Sequence, residues 1–597
     1  MSADIEDYAI ISDCRTAALV SRDGSIDWFC APRYDSGSLF GALLGTPDHG
    51  CWRVAPTDPD AVATRRYDGD TMILVTRWET ASGVAEVTDF MPTDHGRVDI
   101  VRRVVGISGE VEFATELRMR FDYARAIPWV RQTGTAQSPA LRATAGPDTL
   151  VVRGVALSAS DHAHRAVFTV AAGDGRDLVA TWCRSFDPEP APLDVAHAYR
   201  STREWWLQWA GTISYDGPHH DHVVRSLLVL RALSHEDTGG IVAAATTSLP
   251  EQFGGARNWD YRYVWLRDAA LTLEALVAHG FLGVAERWRM WLLRTVAGKP
   301  SQMQIMYGLA GERDLAEREL TSLPGYQGAA PVRIGNGAVD QYQGDVIGEV
   351  MVALEAARIA GLAEDDFSWP LQRALIDRVE AGIANPDNGI WEVRGPRRMF
   401  TQSRAMMWAA FDRGVRAVER WGLEGPVEKW KTLRARLSAE IRDHGVHPEG
   451  GWFTQHYETD EVDASLLLLP QVGFCAPDDP RMVATVERIE QTLMPTGLVE
   501  RYRSATGVDG LAGGENAFIA CSFWLVEQYA GMGRHEDAER LMASTLRAAN
   551  DVGLIAEEFD PVSGHQAGNT PQALSHLALV RAADALAGHT GRAAHRS

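Results

Sequence analysis

The densest chemistry in the chain lies in one run, Gly-Ala-Arg-Asn-Trp-Asp-Tyr-Arg-Tyr-Val-Trp-Leu-Arg-Asp, from Gly255 to Asp268. Four aromatic rings alternate there with arginines, aspartates and an asparagine. Neither a helical nor a strand period gathers these residues onto one amphipathic face, so packing alone does not account for them. Rings flanked by Arg–Asp pairs suit a polyhydroxylated ligand. The rings cover the apolar C–H face of a sugar, and carboxylate and guanidinium groups bind its hydroxyls. The same residues could instead form a buried ion-pair network beneath a loop. A helix-like stretch starts at Asp268, which puts the ligand groups at a helix N-terminus.

Three further clusters carry chemistry. In Asp387 to Gly395, Glu392 lies between Trp391 and Val393 with Arg394 beside it. An apolar site raises a carboxyl pKa and keeps its proton available; the alternative is a surface ion pair between Glu392 and Arg394. In Ile555 to Pro561, Glu557 and Glu558 adjoin, followed by Gly568 to His576. Adjacent carboxylates repel, so one is oriented by a partner while the other faces elsewhere. One that stays ionised can act as a base toward water; the alternative is a solvated acidic loop. In Gly497 to Arg503, Arg501 can hold sugar hydroxyls or a structural carboxylate. Glu392 and Glu557, on separate loops, fit glycoside hydrolysis, one protonating the leaving oxygen and the other activating water.

What must position these groups is an all-β half followed by an all-α half. The 597 residues exceed one ordinary core. Up to about residue 190 the chain reads as short strands: Val111 to Tyr123 alternates apolar and polar, Met72–Trp78 and Val84–Phe90 flank a turn at 81–83, and Thr149–Val155 and Ala166–Ala171 follow. Arg22 to Trp28 reads as an Asp-Gly turn entering a strand. These suggest an antiparallel sandwich. The prolines of Asp187 to Pro192 mark a linker, and residues 194–209 form a helix whose Trp205, Trp206 and Trp209 dock it. From residue 218 to 587 about twelve helical segments follow, and paired helices of this number can close into a toroid whose long loops build a pocket. The expected domains are a sandwich (1–190), a helical linker (191–217), a helical catalytic domain (218–587) and a flexible tail (588–597).

The net charge of −22 disfavours nucleic acid and anionic membranes as partners and favours a small-molecule ligand. Six cysteines without a CxxC pair read as buried, reduced thiols. The acidic start lacks the apolar core of a secretory signal, and no run of about eighteen apolar residues occurs, so a cytoplasmic location is expected. His219-His220-Asp221-His222 reads as a capping and surface cluster rather than a metal site. No nucleotide-binding glycine motif is present. No cofactor is called for, with phosphate and Mg2+ dependence left open, as is the oligomeric state.

Taken together, these motifs resemble glycoside hydrolase family 15, the glucoamylase and trehalase family, over nearly the whole chain. The resemblance runs from Asp7–Asp13 and Asp23–Trp28 through Ala245–Glu251, Arg257–Arg262 and Val332–Ala338 to Gly389–Gly395 and Glu557–Gln572. Gln304–Gly308, Gly311–Arg313 and Pro331–Ala338 look most like bacterial trehalases. The resemblance implies an N-terminal antiparallel β-sandwich followed by an (α/α)6 barrel, and an inverting, exo-acting enzyme that releases glucose from an α-glucoside. It implies Glu392 as general acid and Glu557 as general base, with Tyr261 supporting the catalytic water. Trp259, Arg267, Asp268, Trp391, Arg501 and Glu558 would bind substrate. Inversion requires the two carboxyls to stand roughly 6.5–9.5 Å apart. Trehalose is the expected substrate. A glucoamylase-like glucosidase acting on malto- or isomalto-oligosaccharides is the alternative, with a glycoside phosphorylase or a non-catalytic sugar-binding protein as readings from other classes.

Overall fold

The alternation read near residue 111 belongs to a 21-residue strand, Val98–Arg118, around which the N-terminal half is built. The computed structural model describes residues 2–93, 96–296 and 299–588. Val111, Phe113 and Leu117 are buried while Glu110 and Glu112 face out, as a strand with one wet face requires. The strand serves two layers. Its first half pairs with Gly83–Phe90 and Gly175–Arg184, and its second half with Cys51–Pro56 and Ala163–Ala171. The crossing falls at Gly106–Gly109, where Gly109 takes φ +64°, a bend that lets one strand change sheets. The result is an antiparallel sandwich whose strands Tyr8–Ser12, Ala17–Ser21 and Ser25–Cys30 are buried along their length.

The strand expected to reach Tyr123 stops at Arg118. Asp122, Tyr123 and Ala124 all adopt left-handed backbone, with φ of 53°, 57° and 62°, which cannot continue a pleat. The hairpin forms between Leu74–Glu79 and Gly83–Phe90, and the Asp-Gly turn joins Ala17–Ser21 to Ser25–Cys30. After the prolines, Asp194 accepts the His197 N–H and caps the helix Val195–Ala210. Trp206 is fully buried, and Trp209 stacks on Phe281 at 4.0 Å, so this helix docks on the helical half as expected.

The helical half is a double ring. Leu266–Ala278, Val346–Ile359, Thr401–Trp421, the 3₁₀ segments Ala464–Leu468 and Pro470–Val472, Ile519–Gly531 and Ala573–Leu586 pack side by side, and the last returns to the first. Outside them lie His220–Ala232, Leu282–Val296, Ser368–Gly382, Val427–His444, Pro480–Thr492 and His535–Thr545. The difference is written in the sequence. Val346–Ile359 is apolar on nearly every face and buried on nearly every face, whereas Val427–His444 buries only Trp430, Leu437 and Ile441, one helical stripe. The inner helix expected over 461–473 is 3₁₀, not α. Asp463 caps its start, and Pro470 interrupts it by lacking an N–H. The tail expected from residue 588 lies, beyond Gly588, outside the described residues. No helix among the described residues is long and apolar enough to cross a membrane.

Candidate active site

Every inner helix is entered through a loop on the same end of the ring, and those loops carry the candidate residues. Residues 251–265 precede Leu266, 336–345 precede Val346, 387–400 precede Thr401, 455–463 precede Ala464, 497–518 precede Ile519 and 555–572 precede Ala573. Five of them, all but 455–463, line a solvent-open pocket whose walls include Trp259, Tyr261, Arg267, Trp391, Glu392 and Arg501. Helix N-termini converge on it, so their partial positive charge opposes the acidic side chains gathered there.

Glu392 forms one wall. Its backbone is left-handed, at φ +59°, and the Gln341 amide, Nε2, donates to its carbonyl at 2.9 Å. The Trp265 indole donates to Glu392 Oε1, and Arg267 Nη2 lies 3.5 Å from the same oxygen. Arg267 in turn is held by Gln343 at 2.8 Å and Asp345 at 3.3 Å, with Asp268 beside it at 3.9 Å. Burial pushes the Glu392 carboxyl upward, with Arg267 opposing and Asp268 adding to the rise. The surface pair weighed for Glu392 does not form. Arg394 instead meets Glu317 at 2.6 Å and lies 4.1 Å over the Trp259 ring.

Glu557 is fully buried behind Tyr261, which donates its hydroxyl to Oε1 at 2.6 Å. Asn569 N–H donates to Oε2 at 3.3 Å. Burial pushes this carboxyl up, the nearby Glu251 adds to the rise, and Arg501, Tyr261 and the Asn569 N–H pull it back. A solvated acidic loop is therefore excluded. Gly568, at φ +74°, passes so close that a Cβ there would sit 2.5 Å from Glu557 Oε2. Gly568→Ala is expected to displace the carboxyl and lower kcat by about 10²-fold, the cost of an ångström of misplacement, while circular dichroism stays native.

Glu558 opens the short strand Glu558–Asp560 just after Glu557 and reaches Arg501 at 3.3 Å. It is fully buried behind that arginine rather than in the cavity wall. Arg501 also meets Glu515 at 2.5 Å and Glu251 at 3.1 Å. These three carboxylates approach closely enough to hold a cation, and a guanidinium supplies it. Arg257 braces the cluster through Asp509 at 2.6 Å and Glu515 at 3.1 Å. Trp259 donates to Glu251 at 3.1 Å. Trp391 donates to Asp463 at 2.9 Å and stacks on Trp524. Trp265, Glu251, Asp463 and the Gln341–Gln343 pair were not legible as site residues. Trp265 lay within the opening run but carried no distinguishing neighbour, and the others are scattered singly along the chain. His219 begins its helix without a side-chain cap and instead faces Glu539 at 3.6 Å.

A sandwich leading into a double helical ring, with a ring-lined pocket walled by Glu392 and backed by Glu557 behind Tyr261, defines a glycoside hydrolase. The pattern of "Glycosyl hydrolases family 15" matches residues 217–584, and that of "Trehalase-like, N-terminal" matches residues 1–206. The chain belongs to glycoside hydrolase family 15. It is 36% identical to the trehalase of Mycobacterium tuberculosis over 97% of this chain and 89% of that one. It is 34% identical to the trehalase of Thermoplasma acidophilum over 95% and 98%. A bacterial glucoamylase complexed with acarbose has the same fold, with a TM-score of 0.72 at 13% identity, covering 98% of this chain and 94% of the other.

Proposed function

We propose that this enzyme hydrolyses trehalose to two glucose molecules with inversion at the cleaved centre. One observation supports the mechanism above others: each glutamate is fastened to a different member of an edge-packed ring pair. Glu392 is bonded to Trp265 and Glu557 to Tyr261, with ring centroids 5.5 Å apart. On this reading Glu392 carries the proton that it gives to the glycosidic oxygen. Glu557 removes a proton from water, and Tyr261 steadies both the base and that water. Arg267 and Asp268 grip hydroxyls of the terminal glucose, Trp391 and Trp259 cover sugar faces, and Arg501, held by Glu558, offers a further donor. Trehalose itself is supported by the trehalases that match nearly the whole chain. The division 1–190, 191–217 and 218–587 makes the helical ring the catalytic domain. A cytoplasmic location is supported by six free cysteines, five of them buried.

The test is glucose release from trehalose, maltose, isomaltose and maltotriose, with proton NMR following the first anomer formed. Cleavage of trehalose to one β- and one α-glucose is expected. Cleavage of the oligosaccharides instead, with β-glucose first, would keep the mechanism and reassign the substrate to glucoamylase type. Strict dependence of cleavage on phosphate, with a glucose phosphate as product, would replace hydrolysis by phosphorolysis.

The pH profile should be bell-shaped, with its acidic limb set by Glu557, whose carboxyl burial pushes up to about 8, and its alkaline limb by Glu392. Tyr261 donates to the ionised form of Glu557 and so holds its pKa down. Tyr261→Phe should therefore move the acidic limb of kcat/KM upward by about 1 pH unit, the equivalent of one hydrogen bond.

A further inference from the structure

Arg262 follows Tyr261 directly, yet it points away from the pocket and into the sandwich. Its Nε donates to Asp260 at 2.9 Å and its Nη2 at 2.7 Å, and both side chains are fully buried. The remaining donors cross to the N-terminal half. Nη1 reaches the Ser36 carbonyl at 2.9 Å and the Tyr34 carbonyl at 3.3 Å, and Nη2 reaches Tyr123 Oη at 3.0 Å. Tyr123 passes its own hydroxyl to the Ser36 carbonyl at 3.2 Å. Tyr123 is the middle of the three consecutive left-handed residues, Asp122 to Ala124. Left-handed backbone is strained for a non-glycine residue, and such strain persists where surroundings over-determine it. A second tie runs in parallel. Trp28 of the sandwich donates to the Ala245 carbonyl at 3.0 Å, next to Ala244, whose N–H holds the Tyr261 carbonyl at 3.0 Å.

We propose that the sandwich domain is part of the catalytic apparatus. Through a socket formed by Tyr123 and the Ser36 carbonyl it clamps Arg262, and thereby fixes the distance between Tyr261 and Glu557. Arg262 and Tyr123 are positioning residues, one covalent step and one contact removed from the tyrosine. This inference rests on Glu557 being the base. The charged groups that face Tyr261 and Glu557 are Glu251, Arg501, Glu392 and the neighbouring Glu558. None of them contacts the socket, whose own charged pair is Arg262 with Asp260.

The test compares kcat/KM against pH on trehalose for the full-length protein and for Tyr261→Phe, Arg262→Lys, Tyr123→Phe and Arg102→Lys, with Tm for each. Arg102 is the control, a fully buried arginine paired with Asp89 at 2.8 Å wholly within the sandwich. Arg262→Lys should move the acidic limb upward, as Tyr261→Phe does, and lower kcat about tenfold or more with little change in KM. Tyr123→Phe should move the limb the same way by less. Arg102→Lys should lower Tm and leave the limb unmoved. Arg262→Lys and Tyr123→Phe profiles that coincide with the native one, while Tyr261→Phe is shifted, would overturn the clamp alone. An unmoved limb in Tyr261→Phe would overturn the base assignment and the clamp with it. Should Arg262→Lys fail to fold, Tyr123→Phe, which deletes one hydroxyl, decides the question.

Discussion

Glu392→Gln is expected to lower kcat on trehalose by about 10²–10⁴-fold with KM changed only a few-fold. The amide keeps a carbonyl oxygen for the Trp265 indole and Arg267, so the wall of the pocket stays in place, but it has no acidic proton to give the departing sugar. Glu557→Gln should cost a similar factor for the opposite reason. It still accepts from Tyr261 and Asn569 and cannot take a proton from water. Because the two groups act in one transition state, the double variant should be little worse than the poorer single one. α-Glucosyl fluoride separates the roles, since fluoride departs without a proton. Glu392→Gln should regain most of its rate on that substrate and Glu557→Gln should not. Calorimetric titration with trehalose should show near-native binding to both variants. A double variant with native turnover would sink the mechanism.

Arg501→Met is expected to destabilise the protein by about 3–5 kcal/mol and abolish activity. Glu251, Glu515 and Glu558 all lie within 3.3 Å of Arg501, and removing one member of a buried ionic group strands the others. The effect should depend on pH in a defined direction. Burial holds Glu251 and Glu558 above the ordinary carboxylate range while Arg501 pulls both down. Without the guanidinium their folded pKa values rise further. A carboxyl whose folded pKa exceeds its unfolded value stabilises fully below the unfolded value, near about 4.3, and that contribution drains away as pH rises toward the folded value. The variant should therefore lose more Tm relative to the native protein at pH 8 than at pH 5.5. Thermal melts at the two pH values check this, and an equal loss at both would remove Arg501 as the electrostatic centre of the cluster.

Much of this architecture was legible in the chain. Strands such as Val111–Leu117 announce themselves by a two-residue alternation, and outer helices such as Val427–His444 by one apolar stripe. Boundaries suffered where a local conformation overrode the pattern, as the left-handed turn at Asp122–Ala124 cut short the apparent strand and Pro470 tightened an inner helix to 3₁₀. The candidate acids, bases and rings were visible because each sat in a motif too polar and aromatic for a loop of its length. Their partners were not. Asp463 is one aspartate among many until Trp391 is seen to rest on it, and Arg262 looks like one more ligand group of the opening run until its guanidinium is found facing the sandwich. Pairings between residues seventy or more positions apart leave no local trace in a single sequence.

The ring of inner helices is closed only when Ala573–Leu586 packs against Leu266–Ala278, and Glu557 lies in the loop just before that closing helix. The chain's opening residues also wait for this region. Asn550 holds the Glu6 and Tyr8 carbonyls, each at 2.9 Å, and Arg65 pairs with Asp551. Synthesis from the N-terminal side makes Arg267 and Glu392 long before it makes Glu557. A chain broken off before Ala573 keeps the seat for its first strand but has no helix to close the inner ring. Ring closure thus comes late in chain order, and loss of Ala573–Leu586 should open the pocket wall that Gln572 and Leu574 complete.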